Sequence, residues 1–497
     1  MPERGNGGLP DARVVAVFPP FASSERGAFD DQVFVTVQLA PRVYRLGKLG
    51  GFFSAMHGMP LSRPNTDPMK LRRPRAALLA WFCFCCAVAV RAEARNGLGP
   101  IPTGRGGVNQ AFSDNAEMVV DNPSSMVNVT GDGLCELGVT TAIPVSSYSD
   151  SYGNDVNSLV RPQPGPVLGI TKTLPSRRWA VGIGLFAPNS FGASYGELAN
   201  PIFGPTESSS RGILIRLLPA VAYKATDRLA LGLSFGAGLS YSSFKGPMYL
   251  QSGPLVGTPV LLDARGTGVA PIGAVGMQYQ LFENTRIGAT YTVPSDFWLR
   301  GATNATFSDG GLIESHFNSK MRLRWPSTLA FGVKHDFCPH RRMAADLIWT
   351  HWAGAFSDIN LLIYDPSNPA VESLVAAAGG SLPIDVNMPQ HWTDTVTFRL
   401  GYEADLSDTN TLRLGYDYQP SAAPESTFNP FVTNVLQHVF SIGFSHKLRH
   451  TIFNVAYQYA MGQPLHIGTS GLIGGQFDNS NYESDAHYAT MSFSVPY

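Results

Sequence analysis

The chain has 497 residues, of which 15% are charged, against about 25% in ordinary soluble domains. Its 36 basic and 37 acidic residues leave a net charge of -1 and no electrostatic handle on nucleic acid. Beyond residue 94 no apolar run reaches the roughly 18 residues that a spanning helix needs, so few charges, many glycines (51) and 11% aromatics point to an all-β chain suited to an outer membrane.

Residues 1–68 show no sustained periodicity and precede what reads as a second N-terminus. Met69 is followed by Lys70, Arg72, Arg73 and Arg75, then by an apolar run from Ala76 to Val90, then by Ala92-Glu93-Ala94. Basic flank, short apolar run and small-x-small exit, in that order, mark a secretory signal peptide. Residues 69–94 are therefore expected to be that signal, and residues 1–68 a disordered, non-native extension. Cys83, Cys85 and Cys86 lie in the apolar run and leave with it. Cys135 and Cys338 remain; export permits a disulfide, but two isolated thiols are the expectation.

Residues 95–133 do not alternate. Gly104-Arg105-Gly106-Gly107, Ser113-Asp114-Asn115-Ala116 and Asn122-Pro123-Ser124 are rich in cap and turn residues. Short helices are expected here, with Asp114 or Asn122 as N-caps. A phosphate-cradling loop is discounted because no Gly-Lys-Ser/Thr follows. The segment is the right size for a plug.

From about residue 134 the pattern has period two. Leu229, Leu231, Leu233, Phe235, Ala237, Leu239 and Tyr241 share one parity, and the positions between them are small or polar. The same alternation recurs at Trp179–Leu185, Val396–Tyr402, Leu412–Tyr418 and Phe453–Tyr459. A strand puts such residues on one face, where a helix would scatter them. The segments are long, and short turns (225–227, 282–283, 405–408, 449–450) alternate with long loops, which is the outer-membrane pattern. Strands are expected near 134–145, 165–174, 178–187, 211–224, 228–243, 266–281, 285–302, 314–336, 341–362, 392–404, 410–419, 434–448, 450–462 and 485–497. The result is an all-β membrane protein, a fourteen-stranded antiparallel barrel over 134–497, with an N-terminal hatch of short helices over 95–133. The last strand ends at the aromatic Tyr497, which resembles the signal read by outer-membrane assembly machinery.

The run from Gly97 through Gly104, Gly106, Gly107, Asp114, Asn122 and Pro123 resembles the hatch of the long-chain fatty-acid outer-membrane transporters (FadL/TodX type), whose Asn-Pro-Ala is Asn122-Pro123-Ser124 here. Trp179–Gly184 with Phe186-Ala187-Pro188, Arg286–Tyr291, Pro326–Gly332, Trp392–Thr395 and Arg413–Tyr418 are similar in order and spacing. The resemblance implies hydrophobic substrate captured outside, passed into a plugged barrel and released sideways near a kinked early strand. Gly182, Gly184 and Pro188 are where that kink is expected, because Gly and Pro interrupt ladder pairing.

A fatty acid offers an apolar tail and one carboxylate. Arg216, Arg286, Arg399 and Arg413 have lumen parity and are candidate carboxylate contacts; pairing with lumen acids such as Asp346, Glu403 and Asp417 is the competing role. Trp298, Trp349, Trp352, Trp392, Tyr402 and Tyr416 are expected in interfacial girdles. The apolar stretches Phe244–Leu262 and Leu361–Leu382 read as loops, either capture surfaces or packing. His335, Cys338, His340 and His351 match no common zinc spacing, and no Gly-x-Ser-x-Gly elbow is present. No metal, cofactor or catalytic residue is assigned. The expected partners are the bilayer with its lipopolysaccharide, a hydrophobic small molecule and the assembly machinery, around a monomer. A general porin and an outer-membrane lipid hydrolase are the alternatives.

Overall fold

The computed structural model describes residues 35–39, 42–46, 98–160, 162–432 and 435–497, in two units divided at Ala76 and Ala77. In the first, Val35–Leu39 pairs with Arg42–Leu46 as an antiparallel hairpin, within the stretch read above as an extension. The signal-peptide segment, 69–94, lies outside the described residues.

The second unit is a closed antiparallel barrel of fourteen strands. The first six are Gly133–Ser149, Gln163–Thr173, Trp179–Phe191, Thr206–Lys224, Leu229–Tyr249 and Pro259–Phe282. The seventh to tenth are each broken in two: Thr285–Thr292 with Ser295–Ser308, Leu312–Trp325 with Thr328–Cys338, Arg341–Thr350 with Asp358–Tyr364, and Ile384–Pro389 with Thr395–Asp405. Asn410–Tyr418, Leu436–Lys447, Ile452–Gly462 and Ser480–Pro496 complete the wall. The last strand pairs with the first from Asn481↔Ser149 to Pro496↔Leu134. The carbonyl of Tyr497 then accepts the amides of Asp132 and Gly133. Strand number, order and short turns follow the sequence pattern.

The alternation is the inside-outside code. Leu231, Leu233, Phe235 and Leu239 are each more than 40% exposed, whereas Ala230, Ser234 and Ser240 are buried. The exposed apolar face is the one that hydrocarbon covers.

Two expectations fail on the long-loop side. Phe244–Leu262 is not a loop: the fifth and sixth strands continue to Tyr249↔Pro259. Above the bilayer the outward face turns polar, as at Lys245 and Asp263, while Met248, Val260 and Leu262 still point inward and are buried. Loss of the outward apolar residues therefore marks the membrane edge, not the strand end. Leu361–Leu382 likewise holds a strand end, then a helix at Pro369–Ala377 whose N-cap Asn368 accepts the Ala370 amide at 3.0 Å. That helix buries Val371 and Val375 with Leu250, Phe307 and Phe317. These stretches form one outer core rather than an exposed capture surface.

Trp352 and Trp392 also leave the expected girdle. The chain turns into the lumen after Thr350, and both indoles are buried against Phe356, with ring centres 5.5 and 4.7 Å from it. Trp298 and Trp349 do face outward. Cys135 and Cys338 are both free and exposed.

The hatch lies inside the wall. Helices at Pro100–Gly104 and Met118–Asp121 are followed by a 3-10 turn at Pro123–Asn128. Asn122 caps the last, accepting from the amide of Ser124 at 3.2 Å and its hydroxyl at 2.6 Å. Asp114 caps nothing and bonds Arg105 instead. The hatch backbone rests directly on lumen-facing glycines: Gly104 on Gly443, Arg105 and Gly106 on Gly415, Gln110 on Gly288, and Ser124 on Gly232. A Cβ at any of these wall positions would clash with hatch backbone, which cannot swing aside as a side chain can. Gly415→Val should therefore leave the barrel inserted but unseat the hatch, read as new protease cleavage within residues 98–132 beside an unchanged β-sheet circular dichroism spectrum.

Candidate functional site

The lumen divides into two chemistries. Around the hatch it is charged. Arg105, 1% exposed, donates from Nε to the Val108 carbonyl at 2.9 Å and from Nη2 to Asn109 Oδ1 at 3.0 Å, Asp114 Oδ1 at 2.9 Å and the Phe112 carbonyl. Its Nη1 reaches Glu403 at 3.4 Å. Glu403, on the tenth strand, also accepts from Arg413 and from Arg342 Nε at 2.6 Å, and Arg342 grips Asp405 with two nitrogens at 3.0 and 2.9 Å. The Phe112 ring sits among three cations, 3.8 Å from Arg105, 4.8 Å from Lys334 and 5.8 Å from Arg342. A buried guanidinium is tolerable only when its donors are used like this.

Further bonds join hatch to wall. Asp346 accepts the amides of Asn109 and Gln110 at 2.8 and 3.2 Å, and Glu136 accepts the Ala116 amide at 2.9 Å. Asn122 Nδ2 donates to the Gln110 carbonyl at 2.8 Å and to the Met277 carbonyl at 3.1 Å. Glu117 departs from this pattern: it is fully buried, and neither carboxylate oxygen has a hydrogen-bond partner among the described residues. Burial first, then the neighbouring Glu136, pushes its carboxyl well above the usual carboxylate range.

Of the four lumen arginines, Arg413 is held by Glu403, and Arg399 by Asp417 at 3.2 Å and the Gly107 carbonyl at 3.0 Å. Arg286 donates to Gln280 at 3.0 Å near the short-turn rim. Arg216 lies opposite Phe186 in the register of the third and fourth strands and within reach of the Asp121 charge of the hatch.

Above the hatch the lumen is apolar. Phe186, Leu214, Phe297, Trp325, Phe356 and Phe431 are all buried there in one cluster. One cavity beside it, of about 30 Å³ and lined by Phe244, Leu299, Met321, Leu361 and Met388 with Ser242, Ser319 and Arg265, holds little more than a water or two.

The wall is interrupted beside this cluster. Pairing between the second and third strands stops at Val167↔Phe186, although the second begins at Gln163. The third strand then slips register against the fourth between Phe186 and Asn189, and Phe186 and Ala187 are both buried in succession. Pro164, Pro166 and Pro188 supply no N–H here. Just before this bulge the Phe186 ring lies over Gly184, and the Met126 sulfur over Gly182. Of the three expected kink residues only Pro188 lies in the unpaired stretch; Gly182 and Gly184 keep their partners on both sides, Thr171 and Gly169 on one and Ala220 and Leu218 on the other. The polar anchors Arg105, Arg342 and Asn109 were not singled out by sequence; the pattern Gly104-Arg105-Gly106-Gly107, a bulky cation among residues chosen for close approach, was the signal available.

The family model described as outer membrane protein transport protein (OMPP1/FadL/TodX) matches residues 76–497. Among solved structures, the toluene transporter TodX of Pseudomonas putida is 20% identical, with a TM-score of 0.65 over 81% of this chain and 99% of that one. TbuX, a toluene transporter of Ralstonia pickettii, is 19% identical at a TM-score of 0.63, covering 81% and 99%. A FadL homologue of Pseudomonas aeruginosa is 15% identical at 0.65, covering 82% and 100%. These likenesses bear on the fold; no curated protein sequence matches. The fourteen-strand barrel, its hatch and the family match over most of its length agree: the chain belongs to the OMPP1/FadL/TodX family of outer-membrane transport proteins.

Proposed function

We propose that the protein is a passive channel that moves hydrophobic compounds, long-chain fatty acids or monoaromatic hydrocarbons, across the outer membrane, with exit through the wall beside Phe186. The observation that carries this reading is the apolar upper lumen. A general porin keeps a polar, water-filled interior, and a lumen closed by Phe186, Phe297 and Trp325 excludes hydrated solutes. Apolar packing is non-directional, so it accepts a tail or a ring alike. The cavity is too small for such a substrate at rest, and Met321 and Met388 on its walls are the kind of flexible, polarizable side chains that can repack around one.

Straight passage would require the hatch network to break. Sideways passage requires the Phe186 ring to leave Gly184 and the unpaired edge between the second and third strands to admit the substrate. The second demand is smaller, because no ion pair of the hatch has to separate. Arg216, opposite Phe186 at the foot of the apolar lumen, is read as the contact for a substrate carboxylate.

In liposomes, the purified protein should admit a fluorescent long-chain fatty acid and toluene while excluding sugars. Equal passage of sugars would favour a porin, and turnover of an ester or acyl substrate would favour a hydrolase. Arg216→Gln should weaken fatty-acid binding about tenfold, the worth of one charge-assisted hydrogen bond, and leave toluene binding unchanged in the same titration. Arg105→Met should destabilise the hatch by about 3–5 kcal/mol, as breaking a buried charge network does, seen as hydrogen exchange rising in residues 98–132 but not in the strands.

A further inference from the structure

The outer surface of the wall carries a second arrangement that transport does not use. On the sixth and seventh strands the outward apolar face ends at Val269 (68% exposed) and Trp298 (48% exposed). Toward the long-loop side, the next outward residues are Thr267 and Arg265 on one strand and Arg300 on the other, with Lys320 and Arg322 on the eighth. The register sets Arg300 between Thr267 and Lys320, directly across from each. Trp298 faces Arg322, and its ring centre lies 4.1 Å from Lys320 Nζ and 5.8 Å from the Arg322 guanidinium.

Like charges directly opposite on a ladder destabilise it, and the protein does not neutralise this pair. Asp296 is committed to Arg322 and Arg324, at 3.0 and 2.8 Å. Asp263 faces Lys245, which is itself bonded to Glu207 at 2.6 Å. Among the described residues, Arg265, Arg300 and Lys320 form no ion pair. A groove of about 440 Å³ opens beside Lys320, lined also by Trp298, Arg322 and Arg324 and by Asp358 and Asp385. The two acids leave the cationic residues as the place for an anion.

We propose that Arg265, Arg300 and Lys320 bind the phosphorylated headgroup of an outer-leaflet glycolipid, lipopolysaccharide, whose acyl chains lie on Val269 and Leu239 below. Guanidinium forks match phosphate oxygens two at a time, and basic side chains at membrane level draw anionic headgroups. The height of the cluster distinguishes a lipid from free phosphate: it begins one residue pair above the apolar face, where an anchored headgroup sits and a soluble ion has no reason to.

The test is a titration of the purified full chain, in neutral detergent, with bis-phosphorylated lipid A, followed through tryptophan fluorescence and native mass spectrometry. Arg300→Gln combined with Lys320→Gln should weaken binding at least tenfold, and Arg228→Gln on the opposite rim should change nothing. Dephosphorylated lipid A should bind at least tenfold more weakly to the parent protein. The proposal fails if the double variant binds as the parent does, if removing the phosphates has no effect, or if inorganic phosphate alone binds as tightly as the lipid. Should the double variant not insert, Lys320→Gln carries the same expectation at smaller size, and the dephosphorylated lipid tests the parent independently.

Discussion

Closure of the backbone ladder is the constraint from which the rest of this structure follows. In hydrocarbon an unpaired N–H or C=O has no water to turn to, so a sheet can cross only by meeting its own edge. Here the last strand runs along the first through sixteen registered pairs, Asn481↔Ser149 to Pro496↔Leu134, and the Tyr497 carbonyl ties the seam to Asp132 and Gly133. A wall of fourteen strands encloses more space than its own side chains can fill. Something must occupy it, and a segment with its own backbone polar groups can do so only by bonding them to the wall. The glycines at 232, 288, 415 and 443 let hatch backbone come that close.

The two halves of the lumen then solve opposite problems. The hatch half buries charge and must satisfy it, which is why Arg105 spends its donors on Val108, Asn109, Phe112, Asp114 and Glu403. Strong, directional bonds make a good lock and a poor path. The upper half buries apolar surface, holding Phe186, Phe297 and Trp325 by contacts that have no preferred partner. Such packing can be exchanged for a hydrophobic solute at little cost. Glu117 marks the imperfect point of the lock: its buried carboxyl has no hydrogen-bond partner among the described residues, and burial holds it above the ordinary carboxylate range. For a carboxyl raised in this way, stability is greatest at low pH and is lost as pH rises through the folded-state value.

What could be read from sequence was whatever depends on period and punctuation. Leu229 to Tyr241 declared a strand and its lipid face, and the turns at 225–227 and 449–450 declared the short-loop side. Asn122 declared a cap. Features set by distant partners were invisible. Trp352 and Trp392 have the composition of a girdle, and only the inward turn after Thr350 buries them. Phe244–Leu262 lost its outward apolar residues and so looked like a loop, although its inward parity never broke. Arg399 and Arg413 had the right facing for a ligand, yet Asp417 and Glu403, on neighbouring strands in the register, hold them.

The same division bears on the proposed way out. A solute at the foot of the apolar lumen has the charged hatch below it and the Phe186 bulge beside it. Going down means separating buried ion pairs, each of which leaves an uncompensated charge in a low-dielectric interior. Going sideways means rotating one aromatic ring and passing an edge where Pro164, Pro166 and Pro188 offer no amide to leave unpaired. The ladder is already unjoined there, since pairing of the second and third strands ends at Val167↔Phe186. The wall beside the gap presents the exposed apolar side chains of Ile183 and Leu217 outward. Opening at this gap would therefore separate no ion pair of the hatch and break no ladder bond between the second and third strands that is formed at rest.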